Sequence, residues 1–191
     1  MQTVGKSIVF SAPSGSGKST IINHLLKVFP ELCFSVSACS RDMRPGEIEG
    51  VNYYFLGIPG FKEKIAQDAF FEWEEVYANH YYGTLNSELQ RIWQAGKVVI
   101  FDVDVAGGLR IKEKLGDNAL SCFIKVNDLS EIEKRLRERG TESEENLKAR
   151  LEKAKHEFTF QEAFDVIIYN HVKEEAFAAA EKHIRAFLEK K

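Results

Sequence analysis

The stretch Ser7-Ile-Val-Phe-Ser-Ala-Pro-Ser-Gly-Ser-Gly-Lys-Ser-Thr20 decides how the rest of the chain is read. Ile8, Val9 and Phe10 are an apolar run of good strand formers and read as a short buried strand. The chain then breaks into Ala12-Pro-Ser-Gly-Ser-Gly-Lys18-Ser19, and Ile21, Ile22, Leu25 and Leu26 follow on one face of a helix. Strand, Gly-rich turn, Lys-Ser and helix is the layout of a phosphate-binding loop. Gly15 and Gly17 let the backbone curl so that successive N–H groups point at a polyphosphate. The new helix adds its positive end at the same place. In such a loop Lys18 reaches the outer phosphates and the Ser19 hydroxyl ligates Mg²⁺. The usual pattern opens with Gly, and here that position is Ala12. The strict spacing to Gly17-Lys18-Ser19 and the flanking elements sustain the reading against a Gly/Ser turn that binds nothing.

With 191 residues, the chain is long enough for one domain with a full core, or one domain carrying an inserted lobe. Lys plus Arg number 26 and Asp plus Glu 29, a net charge of −3, which argues against a general nucleic-acid binder. A phosphate ligand then needs a local basic cluster. Three cysteines without a Cys-x-x-Cys pair read as reduced thiols, not as a disulfide framework or zinc site. No apolar run approaches a membrane span, and no basic-then-apolar leader is seen at the start. The expectation is a cytoplasmic protein with neither nucleic-acid nor membrane partners.

Further along, Leu32 to Val36 reads as a second strand, and Ser37 to Gly46 as a polar, basic loop. Gly50 to Leu56 reads as a strand, Pro59 to Gln67 as a short helix, Phe70 to Tyr77 as a strand and Ala78 to Gly83 as a turn and a short extended piece. Residues 37–84 therefore look like a small β-rich lobe inserted in an α/β chain. Lys97 to Asp102 is a near-continuous apolar run ending in an acid, as in the buried centre of a parallel sheet. Helices are expected at Asn86–Ala95, Val105–Leu115, Leu129–Arg139, Ser143 to about Phe160 and Glu174–Leu188; strands at Leu120–Val126 and Phe164–Tyr169. The alternation implies α/β architecture: a parallel sheet flanked by helices, with ligands at the carboxyl ends of its strands.

Phosphoryl transfer between nucleotides needs cradled phosphates, a bridging metal and mobile positive charge over the transferring group. Asp102, at the end of an apolar strand, suits the metal, or is simply a strand-terminal or helix-capping Asp. Arg135, Arg137, Arg139 and Arg150 flank a Gly140-Thr break and suit a lid, or form solvated helix faces with Glu131, Glu133 and Glu138. Arg41 and Arg44 in a loop suit a terminal phosphate. Tyr53 and Tyr82 add hydroxyl donors, or simply pack. Glu72 and Asp104 are acids in apolar surroundings that want donor partners. Acids lining a base pocket select guanine, which offers N1–H and an exocyclic NH₂, and Ser37 and Thr84 suit its O6 edge.

Together with the loop, Ser35-Val-Ser-Ala-Cys-Ser-Arg41-Asp-Met-Arg44-Pro-Gly-Glu47, Gly50-Val-Asn-Tyr53, Phe71-Glu72-Trp73, Tyr81-Tyr82-Gly83-Thr84, Asp102-Val-Asp104 and Arg139-Gly-Thr-Glu-Ser143 resemble the guanylate kinase family. The similarity runs in order from about residue 5 to 188. It implies transfer of the ATP γ-phosphoryl group to GMP (also dGMP) with Mg²⁺, in purine nucleotide metabolism, by a monomer or, alternatively, a dimer. On this resemblance ATP is held by Ala12, Pro13, Ser14, Gly15, Ser16, Gly17, Lys18, Ser19 and Thr20, with Asn170 at the adenine. GMP is held by Ser37, Arg41, Arg44, Tyr53, Glu72, Tyr82, Thr84 and Asp104, and the metal by Ser19 and Asp102. Lys18, Arg41, Arg135, Arg139 and Arg150 become the catalytic cations. Residues 1–36 and 85–191 form the core, including a lid at about 128–158, and 37–84 form the GMP lobe. Thr84 stands where some members carry Ser, which keeps the hydroxyl. The competing readings are a non-catalytic guanylate-kinase-like binding module and a GTPase. For the GTPase, Asp104-Val-Ala-Gly107 matches a short Asp-x-x-Gly pattern.

Overall fold

The computed structural model describes residues 4–138 and 144–190. In chain order the elements are β1 (Ser7–Ser11), α1 (Lys18–Val28), β2 (Leu32–Phe34), β3 (Ala38–Cys39), β4 (Tyr54–Phe55), α2 (Gly57–Ala66), β5 (Phe70–Tyr77), β6 (His80–Leu85), α3 (Asn86–Gln94), β7 (Val98–Val103), α4 (Val105–Leu115), β8 (Ala119–Lys125), α5 (Leu129–Glu138), α6 (Glu144–Phe158), β9 (Val166–Tyr169) and α7 (Lys173–Glu189).

Every residue of β1 is buried, as expected for the middle of a sheet covered on both faces. It lies at the centre of a five-stranded sheet in the order β2-β7-β1-β8-β9, with each pairing parallel. Alternation sends Ile8 and Phe10 to one face, where they meet Ile21, Ile22 and Leu25 of α1 and Ile184 of α7. Val9 goes to the other, with Leu89 and Ile92 of α3 and Ile111 of α4. This is the α/β architecture expected from the alternating pattern. No helix among the described residues is long and apolar enough to cross a membrane.

A second, mixed sheet runs β4-β3-β6-β5, covered by α2 through Phe61, Phe70 and Tyr81. Here the local expectations need correction. Ser37–Gly46 contains β3, which pairs with β4 and β6. A two-residue strand shows no period of its own, and only its distant partners define it. The strand expected over Gly50–Leu56 shrinks to Tyr54–Phe55, and the extended piece expected after the turn within Ala78–Gly83 is strand β6, which runs on to Leu85. Asn79 makes the reversal short by adopting φ +61°, a left-handed conformation that Asn tolerates.

Buried Glu88 of α3 links the two sheets. It accepts hydrogen bonds from Val36 N (3.1 Å), Tyr54 Oη (3.2 Å) and Arg91 Nε and Nη2 (2.9 Å each). Burial pushes its pKa up, but these donors outweigh it and hold the carboxyl below its usual range.

Gly83 has a packing reason. It sits opposite Ala38 on one side and Trp73 on the other. A Cβ there would lie 2.6 Å from the Glu72 carbonyl oxygen and 2.7 Å from Trp73 Cβ. Gly83→Ala must therefore push β5 and β6 apart. It is expected to destabilise the protein by about 1–3 kcal/mol, lowering Tm in calorimetry; an unchanged Tm would contradict the packing account.

Candidate active site

The loop between β1 and α1 takes its shape from two glycines. Gly15 has φ +89° and Gly17 φ +85°. Gly17 is also the N-cap of α1, with no side-chain hydrogen bond on the cap and no acid in the first turn. The helix start is thus left to an anion. Ala12, the departure from the usual pattern, lies 95% buried in the core beneath the sheet and is not in the left-handed region, so a methyl fits. Behind the loop, Asn170 Nδ2 donates to Ser16 O (2.7 Å), and Arg135 Nη1 to Gly15 O (3.3 Å). A Cβ on Gly17 would collide with Asn170 Nδ2, so this glycine is required by contact as well as by conformation.

Asp102, near the end of β7, faces the loop. Its Oδ1 lies 2.7 Å from Lys18 Nζ, and its Oδ2 accepts from Ser19 Oγ at 3.0 Å. Lys18 also donates to Val103 O at 2.6 Å. Asp102 is therefore no helix cap. That role falls to Asp104, whose Oδ1 accepts from Gly107 N at 2.9 Å. The Asp-x-x-Gly pattern is accounted for by this cap.

The loop opens into a cleft of about 400 Å³, a size typical of small-ligand sites. Residues 12–20, Asp102, Asp104, Ser37, Tyr53, Glu72, Tyr82 and Arg150 all line it. Arg150 Nη1 donates to Ser14 Oγ at 2.9 Å, carrying α6 onto the loop. Glu72 is buried and accepts from Thr84 Oγ1 at 2.9 Å, so Thr84 acts from behind it. Burial pushes the Glu72 carboxyl above its usual range, against the Thr84 hydrogen bond and the nearby Arg110 charge.

Other expected residues lie around the cleft without lining it. Arg41 points both Nη atoms at Glu47 (2.6 and 2.5 Å), with its guanidinium 5.0 Å from the centre of the Tyr53 ring. Arg41 first, then the Arg44 N–H, hold the Glu47 carboxyl down at about 2. Arg44 itself is exposed. Arg135 also pairs with Glu131, and Arg137 pairs with Glu133 and Glu144 as a helix-face cation does. Arg139 lies outside the described residues.

A family model described as guanylate kinase matches residues 4–190. The chain belongs to the guanylate kinase family. It is 48% identical over 183 residues to a guanylate kinase of Bacteroides fragilis, covering 96% of this chain and 90% of that one. With that of Bacteroides thetaiotaomicron it shares 46% over 189 residues, 99% of this chain and 93% of the other. The crystal structure of guanylate kinase from Anaplasma phagocytophilum superposes with a TM-score of 0.78 at 29% identity, covering 100% of this chain and 90% of that one. These comparisons give no support to a binding module or a GTPase.

Within this guanylate kinase fold the sequence reading passed over Glu74, Val76, Lys153 and Glu157, which also line the cleft. Two periods carried the signal. Glu72, Glu74 and Val76 alternate along β5 and so share a face. Arg150, Lys153 and Glu157 recur at helical spacing on α6. Lys153 Nζ lies 3.3 Å from Asp104 Oδ2 and 3.7 Å from Glu157 Oε1.

Burial pushes Glu157 up to about 7; Asp104 adds to the rise, while Lys153 and Lys18 oppose it. Its folded pKa thus stands above the unfolded value of 4.5. The stability tied to it is full below that unfolded value and is lost as pH climbs through about 7. Glu157→Gln should match the parent near pH 4.5 and exceed its stability at pH 8.5 by up to about 3 kcal/mol. Denaturant titrations across that range measure it, and a gap that does not change with pH would refute the assignment.

Proposed function

We propose that this chain transfers the γ-phosphoryl group of ATP to GMP, and to dGMP, giving ADP and the nucleoside diphosphate. One observation carries the reading: a phosphate loop and two carboxylates suited to guanine, Glu72 and Asp104, are walls of the same cleft. ATP would lie with its phosphates on residues 12–20 and its base toward Asn170. GMP would lie with its base at Glu72, Asp104 and Ser37, with Thr84 supporting Glu72 from behind, and its phosphate toward Arg41, Arg44, Tyr53 and Tyr82.

A GMP phosphate oxygen attacks the γ-phosphorus, the bond to the β–γ bridging oxygen breaks, and its electron pair leaves with ADP. Lys18 follows the charge on the transferring group, and Arg150, Arg135 and Arg139 add positive charge from the lid side. The Ser19 hydroxyl and Asp102 carboxylate are hard oxygen donors that already meet at 3.0 Å, a donor set that fits Mg²⁺ shared with nucleotide phosphates. When bound, the ion neutralises charge on the phosphates. We take 37–84 as the GMP lobe, about 128–158 as the lid, and 1–36 with 85–191 as the core. The Arg150–Ser14 contact supports this lid, since it already bridges α6 to the loop. The reading uses one chain, as a monomer. It places the chain in the cytoplasm, in keeping with three free thiols.

Coupled ADP-release assays with GMP, dGMP, AMP and UMP test the proposal; ATP turnover that does not depend on GMP sinks it. Lys18→Met should lower kcat by about 10²-fold to 10³-fold while the fold survives, a loss that single-turnover measurements would read. Glu72→Gln should cut the GMP-over-AMP preference by about 10-fold to 100-fold, because a neutral amide no longer accepts from both guanine donors. Unchanged discrimination would remove Glu72 from base recognition.

A further inference from the structure

We propose that Arg110 is a positioning residue for base recognition, tying α4 to β5 and supplying the charge that keeps Glu72 an acceptor. The inference rests on the GMP reading above. The Glu72 carboxylate is crowded by its own kind. A Cβ on Gly107, in the first turn of α4, would lie 3.2 Å from both Glu72 Oε2 and Asp104 Oδ1. Glu74 stands two residues along the same strand. Two carboxylates therefore share one helix start, which favours negative charge but is only a partial charge.

Arg110 sits one turn further along α4. Its Nη2 is 2.6 Å from Glu74 Oε2 and 4.0 Å from Glu72 Oε2. Glu74 thus takes the direct hydrogen bond and fixes the guanidinium. Glu72 receives the field without spending a lone pair on Arg110; apart from the one that accepts from Thr84, its lone pairs stay available to guanine donors. Lys114, one turn on again, donates to Phe71 O at 2.5 Å, so α4 docks on β5 through two basic side chains. The groups facing Glu72 are Arg110 from α4, Asp104 from the residue before it, Glu74 from β5 and Thr84 from β6. Burial, Asp104 and Glu74 favour its protonation; Thr84 and Arg110 oppose it.

Arg110→Gln keeps a donor for Glu74 and removes the charge; Arg110→Lys keeps the charge. The carboxyl ¹³C titration of Glu72 is recorded by NMR in nucleotide-free protein, and kcat/KM for GMP is followed against pH. In Arg110→Gln the titration and the acid limb of kcat/KM should both move up by about one pH unit, with KM for GMP raised and KM for ATP unchanged. Arg110→Lys should restore both. An unmoved titration in Arg110→Gln, or a lysine variant that shifts like the glutamine one, overturns the proposal. Because the titration needs no turnover, a parent enzyme inactive on GMP would refute the proposed function while the titration still judges Arg110.

Discussion

The parallel register of β1 against β7 sets Phe10 opposite Asp102 and Ser11 opposite Val103, and the chemistry of the cleft depends on it. The phosphate loop leaves β1 at the level where the acid of β7 emerges. Lys18 and Ser19 then reach one carboxylate from the first turn of α1. A slip of one residue would turn Asp102 to the opposite face of the sheet. What forbids the slip is apolar packing on both faces: Ile8 and Phe10 against α1 and α7, Val9 against α3 and α4. Core packing and the geometry of the cleft are thus one constraint.

The cleft gathers charge of both signs. The start of α1, Lys18, Arg150 and Lys153 line it together with Glu72, Glu74, Asp102 and Asp104. The overall charge of −3 carries no trace of it, because both signs are concentrated in one place and cancel in the sum.

Much of this was legible in the sequence where the signal was local. Ser7–Thr20 specified strand, turn and helix, because glycine conformation and helix polarity are properties of neighbouring residues. The buried run at 97–102 announced a central parallel strand for the same reason. Legibility failed where structure is made by partners far away. β3 exists through β4 and β6, and the hairpin at Asn79 needs no glycine. Asp102 was ambiguous between cap and acid until Asp104 took the cap. Arg41 was legible as a cation in a loop, but its lock on Glu47 was not, since a bidentate contact depends on how the loop folds back.

The contact of Asn170 with Ser16 has a bearing on synthesis. The loop ends about a tenth of the way along the 191 residues, yet its rear support follows β9, with 154 positions between Ser16 and Asn170. Until β9 pairs with β8, nothing fills the space against Gly17 that Asn170 occupies. Domains form as units, N-terminal parts appearing first, and here an early segment waits for a late one. The nucleotide grip is therefore completed only after the chain has been made through β9.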